Sequence, residues 1–523
     1  MDCKKIARSP FLLFLVLLFT VNLFSCSNSP QKAITNKGSI NSTEDSSSKT
    51  DTSSDSTNSS GNNGGNNATT DTSSNTNNGG NNTGSNPVSQ KPANYNPDIT
   101  NLVVDEKGKL TFLYLNDVTI FQNPADFETK TLQNAPWFVL HSLLNQKNAI
   151  TQENASTSAL FFQYSLAQDT SFSVLAEVSP RNPEINDVTL AIQTFLKGVP
   201  THYTLVVKAY EKNTNPYGVY SALSLSQIQS YEFGSYLQRE DIFLPNTNDP
   251  TAAILLGADY ALFGFPTLNL NQGSYNGMNK LIRNFVQTKG KTDFGLFESA
   301  LNLSFVQKVH LVDVSVSGDK GGALISNLSN SRVENCIVEG KVQGFGTNIG
   351  GMVGFTDASA FIFEVSGTIN VIGNNYTGGV VGYHQGNLSD AHFQGDVVGT
   401  MVVGGLVGLN DAVGSTVSIK NSSMQGTVTG DYAGGLTGVN NGKISNNTVQ
   451  GTISGGSPVG GAAASNEGEI SNVIVQGTVI GTHSVGGLVG SNPGKVQAST
   501  FQGFVMGNPN QNNTIGSGNP ALP

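Results

Sequence analysis

The sequence predicts an all-β protein: a right-handed parallel β-helix preceded by a β-sandwich and a disordered tether. Three observations carry that expectation. Glycine pairs recur at Gly321-Gly322, Gly350-Gly351, Gly378-Gly379, Gly404-Gly405, Gly434-Gly435, Gly460-Gly461 and Gly486-Gly487, spaced by 29, 28, 26, 30, 26 and 26 residues; a fixed period in this range marks a solenoid. Between the pairs, apolar residues fall in runs too short for helices and without 3.6-residue periodicity. Composition also changes sharply along the 523 residues, so the chain divides into segments that must be read separately.

The first segment, 1–25, has Lys4, Lys5 and Arg8 followed by an apolar run from Phe11 to Phe24. That is the pattern of a short secretory leader and not of a membrane span. It ends in Leu23-Phe24-Ser25-Cys26, which resembles the lipobox of bacterial lipoproteins. The resemblance implies cleavage before Cys26, lipidation of Cys26 with palmitate among its acyl chains, and residence in the cell envelope, on an outer membrane facing the cell surface. Cys3 then leaves with the leader, and Cys336 is the one thiol in the folded part. No internal disulfide can form, and the apolar and small residues at the equivalent places in other repeats make Cys336 a buried thiol.

Residues 26–94 are almost entirely Ser, Thr, Asn, Gly, Asp and Lys. Such a segment has too little apolar surface to offset the entropy of ordering, and reads as a disordered tether with an end-to-end distance of roughly 45 Å. Residues 95–224 change character, with the single Trp137 and strand-like alternations. In Tyr203-Thr204-Leu205-Val206-Val207-Lys208-Ala209, the residues Tyr203, Leu205, Val207 and Ala209 share one face. With Leu196, Gly198 and Pro200 ahead of it, this stretch resembles the last two strands of a fibronectin type III domain. The resemblance implies a β-sandwich in which the Tyr203 hydroxyl finds a backbone partner. Trp137 lies in a segment that reads equally as a strand or a short helix, and its side chain is expected in the core.

Residues 225–507 hold the repeats. One full unit runs Gly434-Gly435-Leu436-Thr437-Gly438-Val439-Asn440-Asn441-Gly442-Lys443-Ile444 and continues through Val449-Gln450-Gly451-Thr452-Ile453. Gly and Asn supply positive φ at corners, and β-branched residues supply pleated runs. Stacked coils bury a column of Val, Ile and Leu that no coil could bury alone. Spacing suggests ten or eleven coils about 4.8 Å apart. Asn410, Asn440, Asn466 and Asn492 follow their glycine pairs at a constant interval, with Asn327, Thr356 and His384 in the earlier copies. A second column holds Gln394, Gln425, Gln450, Gln476 and Gln502, each before a glycine. Both are expected to be hydrogen-bonded ladders along the axis. These repeats resemble the bacterial GLUG-motif regions of surface or secreted proteins, which also stand beside the catalytic part of immunoglobulin A-specific metallopeptidases. Residues 508–523 are a polar tail.

Chemistry is sparse. Between Thr400 and Gly507 the charged residues are Asp411, Lys420, Asp431, Lys443, Glu467, Glu469 and Lys495, poor material for paired-carboxylate catalysis. None of the six histidines stands in a His-Glu-x-x-His arrangement, which a zinc peptidase would need. The net charge of -10 provides no basic patch for nucleic acid. His384 and His392 are read as surface residues. The expectation is therefore a non-catalytic, lipid-anchored binding protein with no cofactor and no metal, contacting a glycan or a host protein. An enzyme acting on surface polysaccharide, or an assembly component of the envelope, are the alternatives. Specificity is expected where the repeat breaks: at the insertion Asp411, Ala412, Val413, Gly414, Ser415, Thr416, and in the irregular copies up to His384.

Overall fold

The computed structural model describes residues 100–508, apart from 116–117, 122–128, 161, 179–185, 251, 253–255, 258, 289 and 412–417. The leader, Cys26, the tether and the tail beyond residue 508 lie outside the described residues.

The described part begins with two sheets. Four strands pair in the order Val118–Phe121, Leu110–Leu115, Thr100–Val104, Phe162–Leu166, and five in the order Thr129–Leu132, Val199–Val207, Val188–Leu196, Thr170–Val178, Ile150–Thr151. Alternation builds the second sheet: Val188, Leu190 and Ile192 point inward and face Val207, Leu205 and Tyr203 across an antiparallel pairing. The Tyr203 hydroxyl accepts from the Leu110 amide at 3.0 Å and so ties one sheet to the other. Two pairings depart from the antiparallel sandwich that the fibronectin resemblance implied, since Thr100–Val104 with Phe162–Leu166, and Thr129–Leu132 with Val199–Val207, are parallel. Parallel neighbours need a crossover. Trp137 opens a helix, Trp137–Asn145, behind Pro136, stacks on His141 at 4.3 Å and packs half-buried against the core.

From Tyr217–Val219 onward the pairing is parallel and the chain becomes a β-solenoid, with sheets of twenty, nine and eight strands. The nine-stranded sheet, from Leu268–Asn271 to Val489–Ser491, counts about nine turns. That is fewer than the sequence spacing suggested, because the stretch ahead of Leu268 supplies strands to one sheet only. Register partners repeat from coil to coil, as in Val381, Val407, Thr437, Ala463 and Val489, all buried. The interior is a stack of such columns.

Two columns fix the corners. Asn335, Glu364, Asp390, Asn421, Asn446 and Asn472 follow one strand in successive coils, with φ of 52, 51, 55, 52, 58 and 53°. This is the left-handed region, which asparagine enters more readily than most residues. Gly395, Gly426, Gly451 and Gly477 have φ of 145, 142, 144 and 148°. A Cβ on Gly451 would stand 1.8 Å from the carbonyl oxygen of Gly426, so neither φ nor space admits a side chain.

The asparagine ladder forms through all four of its members, and the glutamine ladder through its last three; Gln394 and Gln425 are in register without a side-chain bond between them. Asn410 Nδ2 donates to Asn440 Oδ1 at 2.6 Å, Asn440 Nδ2 to Asn466 Oδ1 at 2.7 Å, and Asn466 Nδ2 to Asn492 Oδ1 at 2.6 Å. Gln450 donates to Gln476 at 2.9 Å and Gln476 to Gln502 at 3.0 Å. The Asn327 assignment is corrected. Gly321 pairs with Ile349, which shifts the alignment by one residue and puts Leu328, not Asn327, opposite Thr356. Cys336 sits at a corner, fully buried, its Sγ donating to the Glu334 carbonyl, and burial pushes the thiol up to about 12.

Candidate functional site

Coils differ in length at one corner above all. After the column that holds the asparagine ladder, the chain reaches its next strand through residues 385–386, 441–442 or 467–468, but through 357–360 after Thr356 and 411–417 after Asn410. Along the following strand the spacing is constant: seven positions separate Phe361 from Thr368, Ser418 from Gln425 and Lys495 from Gln502. The solenoid therefore keeps its strands fixed and varies one edge, which is where loops carry recognition on a rigid scaffold.

Asp411 stands at the start of the longest such segment. Its Oδ2 accepts from the Tyr383 hydroxyl at 2.6 Å and from Gln385 Nε2 at 3.4 Å, and its Oδ1 from Asn441 Nδ2 at 3.2 Å. The Tyr383 hydrogen bond is the main force holding the Asp411 carboxyl below the usual range. Burial, helped by the carboxylate, pushes the Tyr383 phenol up to about 12. The Tyr383 ring meets Phe355 edge-on at 5.4 Å and Tyr376 at 5.7 Å, so a half-buried aromatic cluster borders the carboxylate. Ala412, Val413, Gly414, Ser415 and Thr416 lie outside the described residues.

His384 is not a surface residue. It is wholly buried, because it pairs in register between Thr356 and Asn410 in the inward-facing ladder column. Its Nδ1 lies 2.8 Å from Thr356 Oγ1, and that oxygen accepts from the Gln385 amide. The Thr356 hydroxyl proton is then directed at Nδ1, which leaves the ring proton on Nε2. Nε2 faces the Gly386 and Ser418 backbone without a well-formed hydrogen bond, and Asn410 Oδ1 is buried without a partner among the described residues. Burial lowers the imidazole to about 4, so the ring is neutral at physiological pH. His392 does lie outside, hydrogen-bonded to Ser423 at 2.8 Å.

Upstream on the same edge is a groove that sequence reasoning missed. It encloses about 310 Å³ and is lined by Leu303, Phe305, Asn330, Arg332, Ser359 and Phe361, with Ser304 and Ser331 at its base. Phe305, Arg332 and Phe361 are register partners in three consecutive coils. The signal was present in the sequence: this outward column carries Phe305 and Phe361 where later coils carry Ser418 and Lys443. It could be found only once the register was known. A second cavity, about 210 Å³, lies beside Tyr260, Phe263 and Lys291, whose ammonium pKa is lowered by burial.

Among the described residues no group of three or more His, Cys, Asp or Glu could hold a metal ion, and no helix is long and apolar enough to cross a membrane.

Fold and edge together define a repeat protein of the parallel β-solenoid class. No family model matches the chain. Over 187 residues it is 26% identical to halomucin of Haloquadratum walsbyi, a match covering 34% of this chain and 2% of halomucin. Among solved structures it is similar to an IgA1 protease at 17% identity and a TM-score of 0.32, over 54% of this chain and 25% of that one. The chain spans only a small part of the length of either relative.

Proposed function

We propose that this chain is a surface-displayed, non-catalytic binding protein of the adhesin kind. The lipidated Cys26 anchors it to the outer membrane, the tether carries the folded part outward, and the variable edge contacts an extracellular glycan or host protein. The observation that carries this reading is the large length variation at one edge of the solenoid, with the Phe355–Tyr383 ring pair and the Phe305–Phe361 groove on that edge. Sites placed on a rigid scaffold hold their geometry better than sites on free loops. The GLUG-motif resemblance and the similarity to halomucin agree with such a protein.

The test uses the full chain on intact cells and in glycan and matrix-protein arrays. Cys26→Ala abolishes palmitate labelling and releases the protein from the envelope, and external protease removes the wild-type solenoid from intact cells. Asp411→Asn and Tyr383→Ala lower array binding about tenfold or more with the fold intact by circular dichroism. Absence of binding to any glycan, matrix protein or cell surface overturns the reading, as does binding that both variants leave untouched.

A further inference from the structure

We propose that the groove between Leu303 and Phe361 is a subsite for one ring of a neutral saccharide, stacked on Phe361 and oriented by Arg332, Asn330 and Ser359. The inference rests on the reading of this edge as a binding surface and names the ligand class for one part of it.

The groove keeps apolar surface in water where the fold does not require it. Leu303 is 77% exposed and Phe361 is 51% exposed, while their neighbours Val306, Val333 and Ile362 fill the interior. Leu303 also has φ of 71°, a conformation unfavourable for a bulky residue, held by its amide donating to the Asn330 carbonyl at 2.6 Å. Backbone strain of this kind gathers at ligand clamps. An exposed ring and a strained, outward leucine at one corner together describe a surface shaped for contact.

The electrostatics select the ligand. Phe305, Arg332 and Phe361 stack at the strand spacing of about 4.8 Å, and the Arg332 guanidinium lies 5.9 Å from the Phe305 ring centroid. Its charge is already met by Glu334, an ion-pair partner whose side chain is only 14% exposed. Behind the corner, the Asp357 carboxylate accepts from the amides of Asn330 and Ser359. An anionic sugar finds no unanswered cation here and one extra carboxylate. A cationic ligand finds no free carboxylate either, since Asp357 already accepts from Ser329, Asn330 and Ser359. A neutral ligand with many hydroxyls fits both conditions. The Asn330 carboxamide and the Ser359 hydroxyl have no partners among the described residues, and so can exchange hydrogen bonds with such hydroxyls. The C–H face of a pyranose ring meets the electron-rich face of Phe361.

Size separates this ligand from a protein partner. A cavity of about 310 Å³ is at the small end of ligand sites, and the column turns polar at Asn387 and Ser418, the next two coils. A specific protein interface needs about 800 Å² on each partner, far more than this short groove supplies.

The test titrates the full-length protein with neutral gluco-, galacto- and manno-oligosaccharides, with sialylated and uronic-acid oligosaccharides, and with an apolar peptide, following saturation-transfer NMR and calorimetry. A neutral saccharide is expected to bind, with transfer to ring C–H protons. Phe361→Ala is expected to weaken it about tenfold or more, and Phe361→Trp to keep it. Melting curves of both variants should match the wild type, since the ring is half outside the fold. Exclusive binding of anionic saccharides or of the peptide overturns the proposal, as does unchanged saccharide binding in Phe361→Ala. If cell-surface binding is lost on changing Tyr383 or Asp411 but not Phe361, this subsite is refuted while the wider function stands. If no saccharide binds while matrix-protein or cell-surface binding persists, this subsite is refuted and the wider function stands; if those are absent too, both fall.

Discussion

The inward column that holds the asparagine ladder is filled in two ways. In the upstream coils it reads Leu270, Ala300, Leu328, Thr356, with His384 at the junction; in the downstream coils it reads Asn410, Asn440, Asn466, Asn492. Both fillings belong to the same parallel nine-stranded sheet. Apolar members can be exchanged one at a time at the cost of local packing, whereas each buried amide depends on the coil above and the coil below, because an unmet polar group in the interior is costly. The downstream half is therefore bound to strict repetition. The upstream half is free of that demand, and it is the half whose edge carries the groove.

The largest break in this contrast should come from the glycine column. Gly451→Ala forces a Cβ to 1.8 Å from the Gly426 carbonyl at a φ of 144°, and both faults fall on backbone that cannot move without its neighbours. A loss of more than about 5 kcal/mol is expected, enough to unfold the downstream coils. The upstream half has already escaped the rule twice: Val314 and Ile369 stand in register with Gly340. Denaturant unfolding checks this, and a loss below about 2 kcal/mol would show that the coils relax around the methyl group.

Asn440→Leu is next. Leucine is the residue the upstream column uses, yet here it strands Asn410 Nδ2 and Asn466 Oδ1, which now pair with Asn440. Two buried orphaned groups at about 1–3 kcal/mol each give an expected loss of about 4 kcal/mol. If Asn440→Leu is neutral, hydrophobic filling alone suffices and the ladder contributes nothing net.

The same contrast explains what could be read from the sequence. Downstream, Asn440, Gly451 and their equivalents recur as identical letters, so both ladders, the corner glycines and the solenoid itself were legible. Upstream, Leu328 and Thr356 share a column without sharing chemistry, and one residue of slippage at Gly321-Gly322 was enough to misplace Asn327. His384 holds the ladder position of its copy, but eight residues from His392 across a corner it reads as a surface residue. Pairing register put it in the core. Phe305, Arg332 and Phe361 lie 27 and 29 residues apart, near enough to the period but too unlike one another to be recognised as one column. The choice of helix over strand at Trp137–Asn145, and the two parallel pairings ahead of the solenoid, come from long-range packing that no local pattern encodes.

His384 marks the junction between the two fillings, and its pH response should be visible. Its pKa is about 4 in the fold, against about 6.5 in the unfolded chain. The unfolded state binds the proton first, so this residue's contribution to stability is intact above about pH 6.5 and is lost progressively as pH falls towards 4, by about 3 kcal/mol in all. His384→Asn should extend the ladder towards Asn410 and remove that component. Unfolding at pH 7 and at pH 4 measures it: the wild type should lose about 3 kcal/mol more than the variant between the two, and equal losses would mean that the ring is not buried neutral.

The smallest effect should be a gain. At the left-handed corner, Glu364 has φ of 51° between Asn335 and Asp390 in a column that becomes Asn421, Asn446 and Asn472 downstream. There the amides also pair along the axis, Asn446 to Asn421 at 3.3 Å and Asn472 to Asn446 at 3.2 Å. A glutamate pays the left-handed penalty without asparagine's local hydrogen bonding, which is part of a cost of roughly 1–2 kcal/mol for ordinary residues. Glu364→Asn should recover about 0.5–1 kcal/mol and raise the melting temperature, because it brings a downstream corner into the upstream half without touching the groove. A fall in melting temperature would mean that the upstream corners are tuned to their own side chains, and that the two halves cannot exchange even their simplest part.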